Sequence, residues 1–158
     1  MIDDIDRKIV DILQKDARTS NAEVARRVGM APSGVFERIK KLEERGVITG
    51  YTARVEPRSV GLGLLAFVFV RTKADALAAQ TEQRLAEIPE VLEVHHIAGE
   101  DCFLLKVRAA DPEALGHLLR ERIGGVGNIR STRTTIVLQT VKESTELPST
   151  PVGNGKRS

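Results

Sequence analysis

The sequence predicts an α+β protein of two small domains: an N-terminal winged helix-turn-helix and a C-terminal βαββαβ domain of ferredoxin-like type. Apolar residues recur at helical spacing through residues 3–45, whereas strand-like and helical patterns alternate along residues 62–141. The chain has 158 residues, and domains of about half that length often gain stability by oligomerising. We predict residues 1–55 as the first domain, 56–61 as a linker, 62–143 as the second domain and 144–158 as a disordered tail.

Three helices are predicted in the first domain, each with a recognisable start or stop. Asp3 can cap the first helix, because its carboxylate can accept a backbone N–H of the first turn. Ser20 opens the second helix with a capping box, and that helix stops at Gly29, which suits a left-handed turn. The third helix starts at Pro32, where a missing N–H costs nothing, and Gly46 ends it.

Residues 21–40 have the register of a helix-turn-helix. Ala25 supplies the small residue where two helices cross, and Gly29 supplies the tight turn four residues later. A plain helical hairpin explains the apolar spacing equally well, but not the basic and polar outer face of the third helix. Val47–Ile48 and Tyr51–Val55 are predicted as two short strands that form the wing. We expect double-stranded DNA as the partner, with phosphate and base contacts from Ser20, Asn21, Ser33, Gly34, Glu37, Arg38, Lys40 and Lys41.

The first strand of the second domain, Leu62–Val70, is apolar on both of its faces. A single layer of helices covers one face of a sheet, so the other face needs a partner, and a second copy of the sheet is the simplest one. We therefore expect at least a homodimer. The other predicted elements are a helix over Ala74–Ile88, strands Val91–Ala98 and Cys102–Arg108, a helix that begins after Asp111, and a strand Ile129–Val141.

Composition excludes several classes of protein. The longest apolar run, Gly61–Val70, is too short to cross a bilayer, and the chain does not open on a signal-peptide core, so we expect no membrane partner. Cys102 is the only cysteine, which favours a reducing compartment, the cytoplasm. The three histidines lack zinc-ligand spacing, and no nucleophile–base–acid pattern is present. We therefore expect no metal, no cofactor and no enzymatic activity.

Five segments stand out in combination: Ile2-Asp3-Asp4-Ile5-Asp6, Arg18-Thr19-Ser20-Asn21, Arg38-Ile39-Lys40-Lys41-Leu42-Glu43, Gly46-Val47-Ile48-Thr49-Gly50-Tyr51 and Thr132-Arg133-Thr134. Through them the chain resembles the leucine-responsive/asparagine regulator (Lrp/AsnC) family of prokaryotic transcription regulators, over residues 2 to about 145. The resemblance implies a winged helix-turn-helix joined to a ligand-sensing βαββαβ domain. It also implies dimers that assemble further, often into octamers, and amino acids or related molecules bound at subunit interfaces.

The chain departs from the family pattern in two places. Met30-Ala31 stands where the family usually has Leu-Ser, and Ala31 cannot cap the third helix, which weakens its start by about 1 kcal/mol unless Ser33 compensates. Cys102 stands where the family often has Asp, so the type of ligand is open. The candidate effector site is the turn after the second strand with two hydroxyls of the last strand: Gly99, Glu100, Asp101, Cys102, Thr132 and Thr134.

Ordinary structural roles remain open for these effector residues, since Gly and Asp favour turns for conformational reasons and the threonines suit a half-buried strand face. The function we predict is a sequence-specific DNA-binding transcription regulator that responds to a small molecule of the amino-acid class. A nucleoid-associated protein that organises DNA without an effector is the alternative. A regulatory module of an enzyme is disfavoured, because 158 residues leave no room for a catalytic domain.

Overall fold

The computed structural model describes residues 2–149, in two compact units. Of the described residues, one unit holds 2–53 together with 142–149, and the other holds Arg54–Val141. The α+β class and the helix-turn-helix plus βαββαβ order predicted from the sequence are confirmed. None of the described helices is long and apolar enough to cross a membrane.

The first unit is built on three helices: α1 (Asp4–Lys15), α2 (Asn21–Val28) and α3 (Pro32–Glu44). Their predicted signals are present, since Asp3 accepts the Asp6 N–H at 2.8 Å and Gly29 adopts the left-handed conformation with φ of 72°. The core of the unit lies where the helices cross. Its fully buried members are aliphatic: Ile9, Val24, Val35 and Leu42.

The two wing strands predicted at 47–48 and 51–55 are wrong, because those residues form no strand in the structure. The N–H groups of Val47 and Ile48 both donate to the Leu42 carbonyl, at 2.8 and 3.1 Å. These bonds finish the C-terminal end of α3, so the two N–H groups are not available to a strand partner. Alternation of residue types predicted an extended backbone, but it does not show whether another strand is present to pair with it. An isolated two-stranded hairpin is only marginally stable.

The second unit opens with a short 3-10 helix, Pro57–Val60, and contains β1 (Leu64–Thr72), α4 (Ala78–Ala86), β2 (Val91–His96), β3 (Phe103–Ala109), α5 (Pro112–His117) and β4 (Ile129–Ile136). Its strands form one antiparallel sheet in the order β2-β3-β1-β4. The helices cover one face of the sheet, where the largest fully buried side chain is Phe103.

Several predicted boundaries in this unit need correction. The last strand ends at Ile136 rather than at Val141, near the start of β1 at Leu64, and beyond it the Val137 N–H still donates to the Leu65 carbonyl at 2.9 Å. The helix predicted over Ala74–Ile88 starts with a 3-10 turn, and α5 continues as a π-helical turn over Leu118–Ile123. The last strand is therefore shorter, and both helices less regular, than their apolar spacing predicts.

The start of the predicted disordered tail lies against α1. The side-chain amide of Gln14 donates to the Leu147 carbonyl at 2.9 Å and accepts the Leu147 N–H at 2.7 Å. Arg7 donates to the Ser149 carbonyl at 2.9 Å. Residues 144–149 therefore contact α1 while forming no helix or strand, and residues 150–158 of the predicted tail lie outside the part of the chain that the structure describes.

Candidate DNA-binding surface and effector site

The outer face of α3 carries the side chains that the sequence predicted for base and phosphate contacts. Val35 and Leu42 are buried, so the opposite side of the helix faces solvent. Four predicted residues lie exposed there: Ser33, Glu37, Lys40 and Lys41. Gly34 lies at the edge of this face, and a Cβ at that position would come within 3.0 Å of the Met30 side chain. The structure therefore brings these positions together on one helix, next to the helix-turn-helix turn.

The start of α3 has no side-chain cap, as expected for Ala31. Pro32 occupies the first helical position, and the Gly34 and Val35 N–H groups both donate to the Ala31 carbonyl, at 3.0 and 3.2 Å. No described bond shows Ser33 in a capping role, so its hydroxyl is available to a ligand. The helix start lacks a stabilising cap, and the Ser33 side chain remains free on the outer face.

The start of α2 presents the other predicted contacts, Ser20 and Asn21. The Ser20 hydroxyl accepts the Glu23 N–H at 3.2 Å, as predicted for the cap. The reciprocal half of the capping box is wrong, because the Glu23 carboxylate binds Arg26 and Arg27 at 2.6–2.9 Å instead. These two guanidinium groups lower the pKa of Glu23 to about 2. Asn21 is exposed at the end of the helix where N–H groups point outward.

Arg38 differs from the other cations of α3, because its guanidinium is held by the start of α1. Its Nη1 lies 2.6 Å from Asp3 Oδ2 and 2.7 Å from Asp6 Oδ1. The side chain of Arg38 is 30% exposed and that of Asp6 only 11%. The hydrogen bond from the Asp6 N–H and then the bond from Arg38 lower the pKa of Asp3. This clamp ties α3 to α1 across 35 positions in the sequence.

Replacing Arg38 by Ala is expected to lower the free energy of unfolding by about 1–3 kcal/mol, because it leaves the Asp6 carboxylate partly buried without its cation. Thermal or denaturant unfolding of the purified protein measures this loss. Lys41→Ala is the matched control, since Lys41 is exposed on the same helix and should change stability by less than about 0.5 kcal/mol. Equal stability of the two variants would show that the ion pairs of Arg38 do not stabilise the fold.

Beside α3 lies a cavity of about 280 Å³, bounded by the end of α1, the start of α2 and Tyr51. Tyr51 donates its hydroxyl to Glu43 Oε1 at 2.8 Å. Partial burial of the phenol, and then this bond to a carboxylate, raise the pKa of Tyr51 to about 12. Phe36 forms another wall of the cavity and is 53% exposed. Nothing in the apolar spacing of α3 distinguishes this phenyl ring as a functional residue.

Tyr51 is the only tyrosine and the chain has no Trp, so phenolate absorbance reports its ionisation directly. We expect a midpoint near 12 in the folded protein, compared with about 10 for an unfolded chain. The folded state then holds the proton more tightly between these values, so stability falls as pH rises from about 10 to about 12. Glu43→Gln should lower the midpoint, and an unchanged midpoint would show that the carboxylate plays no part.

The turn between β2 and β3 is the predicted effector site. Gly99 has φ of 134°, a conformation that side chains other than glycine rarely adopt. The Glu100 carboxylate lies 3.1 Å from Arg71 Nη2, and the Asp101 carboxylate lies 3.1 Å from Arg133 Nη2 and 3.9 Å from Arg71 Nε. The turn is therefore part of an ion-pair cluster. Neither arginine was predicted from the sequence of the turn itself.

Cys102 and the two threonines lie elsewhere relative to this cluster. The Cys102 N–H donates to the Val70 carbonyl at 2.8 Å, and its Sγ lies 3.1 Å from the Thr72 hydroxyl. Thr132 and Thr134 pair with the buried residues of β1, which puts them on the helix-covered side of the sheet. Arg133 lies between them in sequence and points to the opposite side, so strand alternation separates the threonines from the ion pairs.

The sheet face opposite the helices is apolar at its centre. Leu65, Phe67 and Phe69 of β1 lie on it, and Leu104 of β3 pairs with Phe69. The Arg133 guanidinium stacks over the Phe69 ring, 4.1 Å from the ring centre. Within Arg54–Val141 the helical core cluster does not include these side chains. The second apolar face predicted for the first strand is therefore present and lies outside the core.

No group of described residues could hold a metal ion through three or more His, Cys, Asp or Glu side chains.

Comparison with known proteins agrees with both units. Residues 2–49 match the family model of a winged helix-turn-helix DNA-binding domain, and residues 65–147 match that of the Lrp/AsnC ligand binding domain. The HTH-type transcriptional regulator FL11 of Pyrococcus furiosus is 38% identical, covering 94% of this chain and 97% of that protein. The leucine-responsive regulatory protein of Escherichia coli is 37% identical, covering 92% and 90%.

Solved structures show the same similarity. AsnC of Escherichia coli superposes with a TM-score of 0.88 at 32% identity, covering 94% of this chain and 99% of that one. A transcriptional regulator of Neisseria meningitidis in complex with L-methionine gives 0.88 at 32% identity, covering 94% and 97%. The feast or famine regulatory protein of Mycobacterium tuberculosis, complexed with L-methionine, gives 0.87 at 39% identity, covering 93% and 99%.

Proposed function

The chain belongs to the Lrp/AsnC family of transcriptional regulators, and from this premise we propose that it binds specific double-stranded DNA sequences under the control of an amino acid. The observation that carries the DNA proposal is the outer face of α3, where hydroxyl, carboxylate and ammonium groups lie exposed on a helix-turn-helix. Such a helix enters the major groove with its first residues toward the base edges. Its relatives are transcriptional regulators, and we propose no enzymatic role.

Each predicted residue receives a role from its place on this surface. Ser33 and Glu37 lie near the start of α3, where base edges come within reach. Gly34 has no side chain, so it allows the helix backbone to approach the bases closely. Lys40 and Lys41 bind phosphates; the Lys40 ammonium lies 3.9 Å from Glu44, an exposed pair that a phosphate can replace. Asn21, next to the Ser20 cap, faces the backbone of the flanking strand with the N-terminal N–H groups of α2.

Arg38 is better assigned to positioning α3 than to a phosphate. Its guanidinium is already bound to Asp3 and Asp6, and a phosphate would have to compete with two carboxylates. This assignment replaces the phosphate contact predicted for Arg38 from the sequence.

In vitro selection from a random duplex pool tests the DNA proposal. We expect an enriched palindromic site whose half-sites lie about one helical turn, or a multiple, apart, because a symmetric dimer places its two α3 helices symmetrically. Binding to that site should exceed binding to scrambled DNA by about 10³-fold or more. A protein that enriches no sequence and binds all duplexes alike would be the nucleoid-associated alternative.

We propose that the open sheet face is the homodimer interface. Phe67 and Phe69 are half-buried in one chain and lie at the centre of the face, where a second copy of the same sheet would cover them. Isologous pairing puts the same patch on both partners, so the interface closes on itself. Dimers of this kind are the unit from which we propose a larger assembly, such as an octamer, in the cytoplasm.

The amino-acid effector is proposed to bind at the turn of residues 99–102. An amino acid brings a carboxylate that Arg71 or Arg133 could bind and an ammonium group that Glu100 or Asp101 could bind. The ligand would exchange partners within an existing ion-pair cluster instead of burying unpaired charges. Two structural relatives have L-methionine bound, which makes methionine the first candidate to test.

Variants of the turn are expected to weaken the effector while leaving DNA binding without effector unchanged. Asp101→Ala removes the carboxylate that holds Arg133 and should lower affinity about tenfold, the range of a lost charge-assisted hydrogen bond. Gly99→Val should do more, since valine is strained at φ of 134°. A thermal-shift screen of the amino acids finds the ligand, and calorimetric titration measures both variants. Unchanged affinity in both would place the effector site elsewhere.

A DNA-organising protein without an effector is the second candidate function. The observation that favours it is that the turn carboxylates are already paired with arginines. Cys102 also stands where the resemblance to the family often places an aspartate. If no amino acid raises the melting temperature of the wild-type protein, that result supports the DNA-organising function without an effector.

A further inference from the structure

Phe36 is the one large apolar side chain that α3 leaves more than half exposed within the described chain, at 53%. It is the fifth residue of α3, in the part of a recognition helix that meets base edges. Ser33 lies three positions before it and Lys40 four positions after it, so the three side chains form one continuous ridge. The ring therefore stands among the groups that the proposed function assigns to DNA.

From this placement we propose that Phe36 is a specificity-determining residue that reads the C5-methyl group of a thymine in the major groove. This inference rests on the proposed DNA-binding function. A phenyl ring has no donor or acceptor, so it cannot read the polar edges of the bases. The thymine methyl is the apolar feature that the major groove presents, and contact with it distinguishes thymine from cytosine and from both purines.

The cavity beside the ring gives the methyl group a place. Phe36, Leu13 and Ile39 supply apolar lining of the cavity. Its polar lining includes Asn21 at the start of α2 and Lys40 and Glu43 of α3. Exposed lysines on the same helix face complement the phosphates on both sides of a groove. Apolar centre and cationic flank together match the major groove at a thymine.

The alternative of a wedge between base pairs does not suit this position. Apolar side chains that separate stacked bases act from the minor groove, whereas α3 is the recognition helix of the major groove. The phenyl ring therefore meets the methyl edge of a base pair and leaves the stack intact.

Uracil substitution tests the inference, because it removes the C5-methyl group of a thymine and nothing else. Each thymine of the selected site is replaced by uracil in turn, and the affinity of the wild-type protein is measured. We expect one position in each half-site at which uracil weakens binding about fourfold, the effect of one buried methyl group. The same position should lose its uracil effect in Phe36→Ala.

Phe36→Ala is also expected to weaken binding to the selected site about tenfold, with binding to scrambled DNA unchanged. Leu147→Ala is the control: Leu147 is also an exposed apolar residue of the same unit, at 72%, and its hydrogen bonds to Gln14 use its backbone. Phe36→Leu keeps an apolar side chain and should retain part of the uracil effect, which guards against a merely misfolded alanine variant.

Insensitivity of the wild-type protein to uracil at every thymine would overturn the inference while leaving sequence-specific binding in place. An equal uracil effect in wild type and Phe36→Ala would overturn it as well, since another residue would then hold the methyl. Failure of the selection to enrich any site would instead reject the proposed function, and the inference with it.

Discussion

Phe67→Glu is expected to convert the protein from an oligomer into a folded monomer. Two copies of the glutamate would meet near the symmetry axis of a sheet-to-sheet interface, and burying a carboxylate without a partner costs several kcal/mol for each charge. Since Phe67 lies outside the helical core, the variant should still fold. Sedimentation at micromolar concentration gives the mass, and circular dichroism gives the fold.

Leu77→Glu serves as the control for this variant. Leu77 is also a large apolar residue, 48% exposed, but it lies at the start of α4, in the helical layer and away from the open face. It should leave the mass of the oligomer unchanged. A Phe67→Glu protein that sediments like the wild type would reject the interface, and with it the symmetric operator expected from a dimer.

The double variant Lys40→Ala, Lys41→Ala should show the second large effect, a loss of affinity for every DNA sequence. Each phosphate contact that is lost means that fewer counterions are released from the DNA on binding. The plot of log affinity against log salt should therefore become less steep, by about 0.9 per lost contact. Specificity should change little, because phosphate contacts position the protein without reading sequence. Fluorescence anisotropy over a range of salt concentrations measures both quantities.

Glu82→Gln is a suitable control, because Glu82 is an exposed charge of the second unit on a helix outside the proposed DNA surface. An unchanged salt slope in the lysine variant would show that α3 does not present these ammonium groups to DNA. Loss of stability in the lysine variant would be a different failure, which melting curves detect. Neither lysine belongs to the core of its unit, so we expect normal folding.

Local signals in the sequence predicted most of the fold. A cap such as Asp3 or Ser20 acts on N–H groups two or three residues away, so its spacing alone shows where a helix starts. Gly29 is equally local, because a left-handed backbone favours glycine. The doubly apolar strand, now seen as β1, predicted a face without helices because period-two alternation assigns each residue to one side.

The parts that sequence could not predict depend on residues brought together from a distance. The Arg38 clamp joins residues 32 and 35 positions apart, and nothing in the pattern of α3 separates Arg38 from the neighbouring lysines. The arginines around the 99–102 turn come from two other strands. The sequence of the turn therefore predicted the carboxylates but not the arginines that pair with them. The wing strands failed for the same reason, since a strand exists only where another backbone pairs with it.

Reciprocal coupling between effector and DNA is the direct test of a DNA-binding protein that an amino acid controls. The affinity for the selected DNA site is measured with and without the amino acid that raises the melting temperature, and the affinity for that amino acid is measured with and without DNA. We expect both affinities to change by the same factor, about fivefold or more, since each ligand must bias the same assembly. Specific DNA binding that no amino acid alters, in either direction, would contradict it.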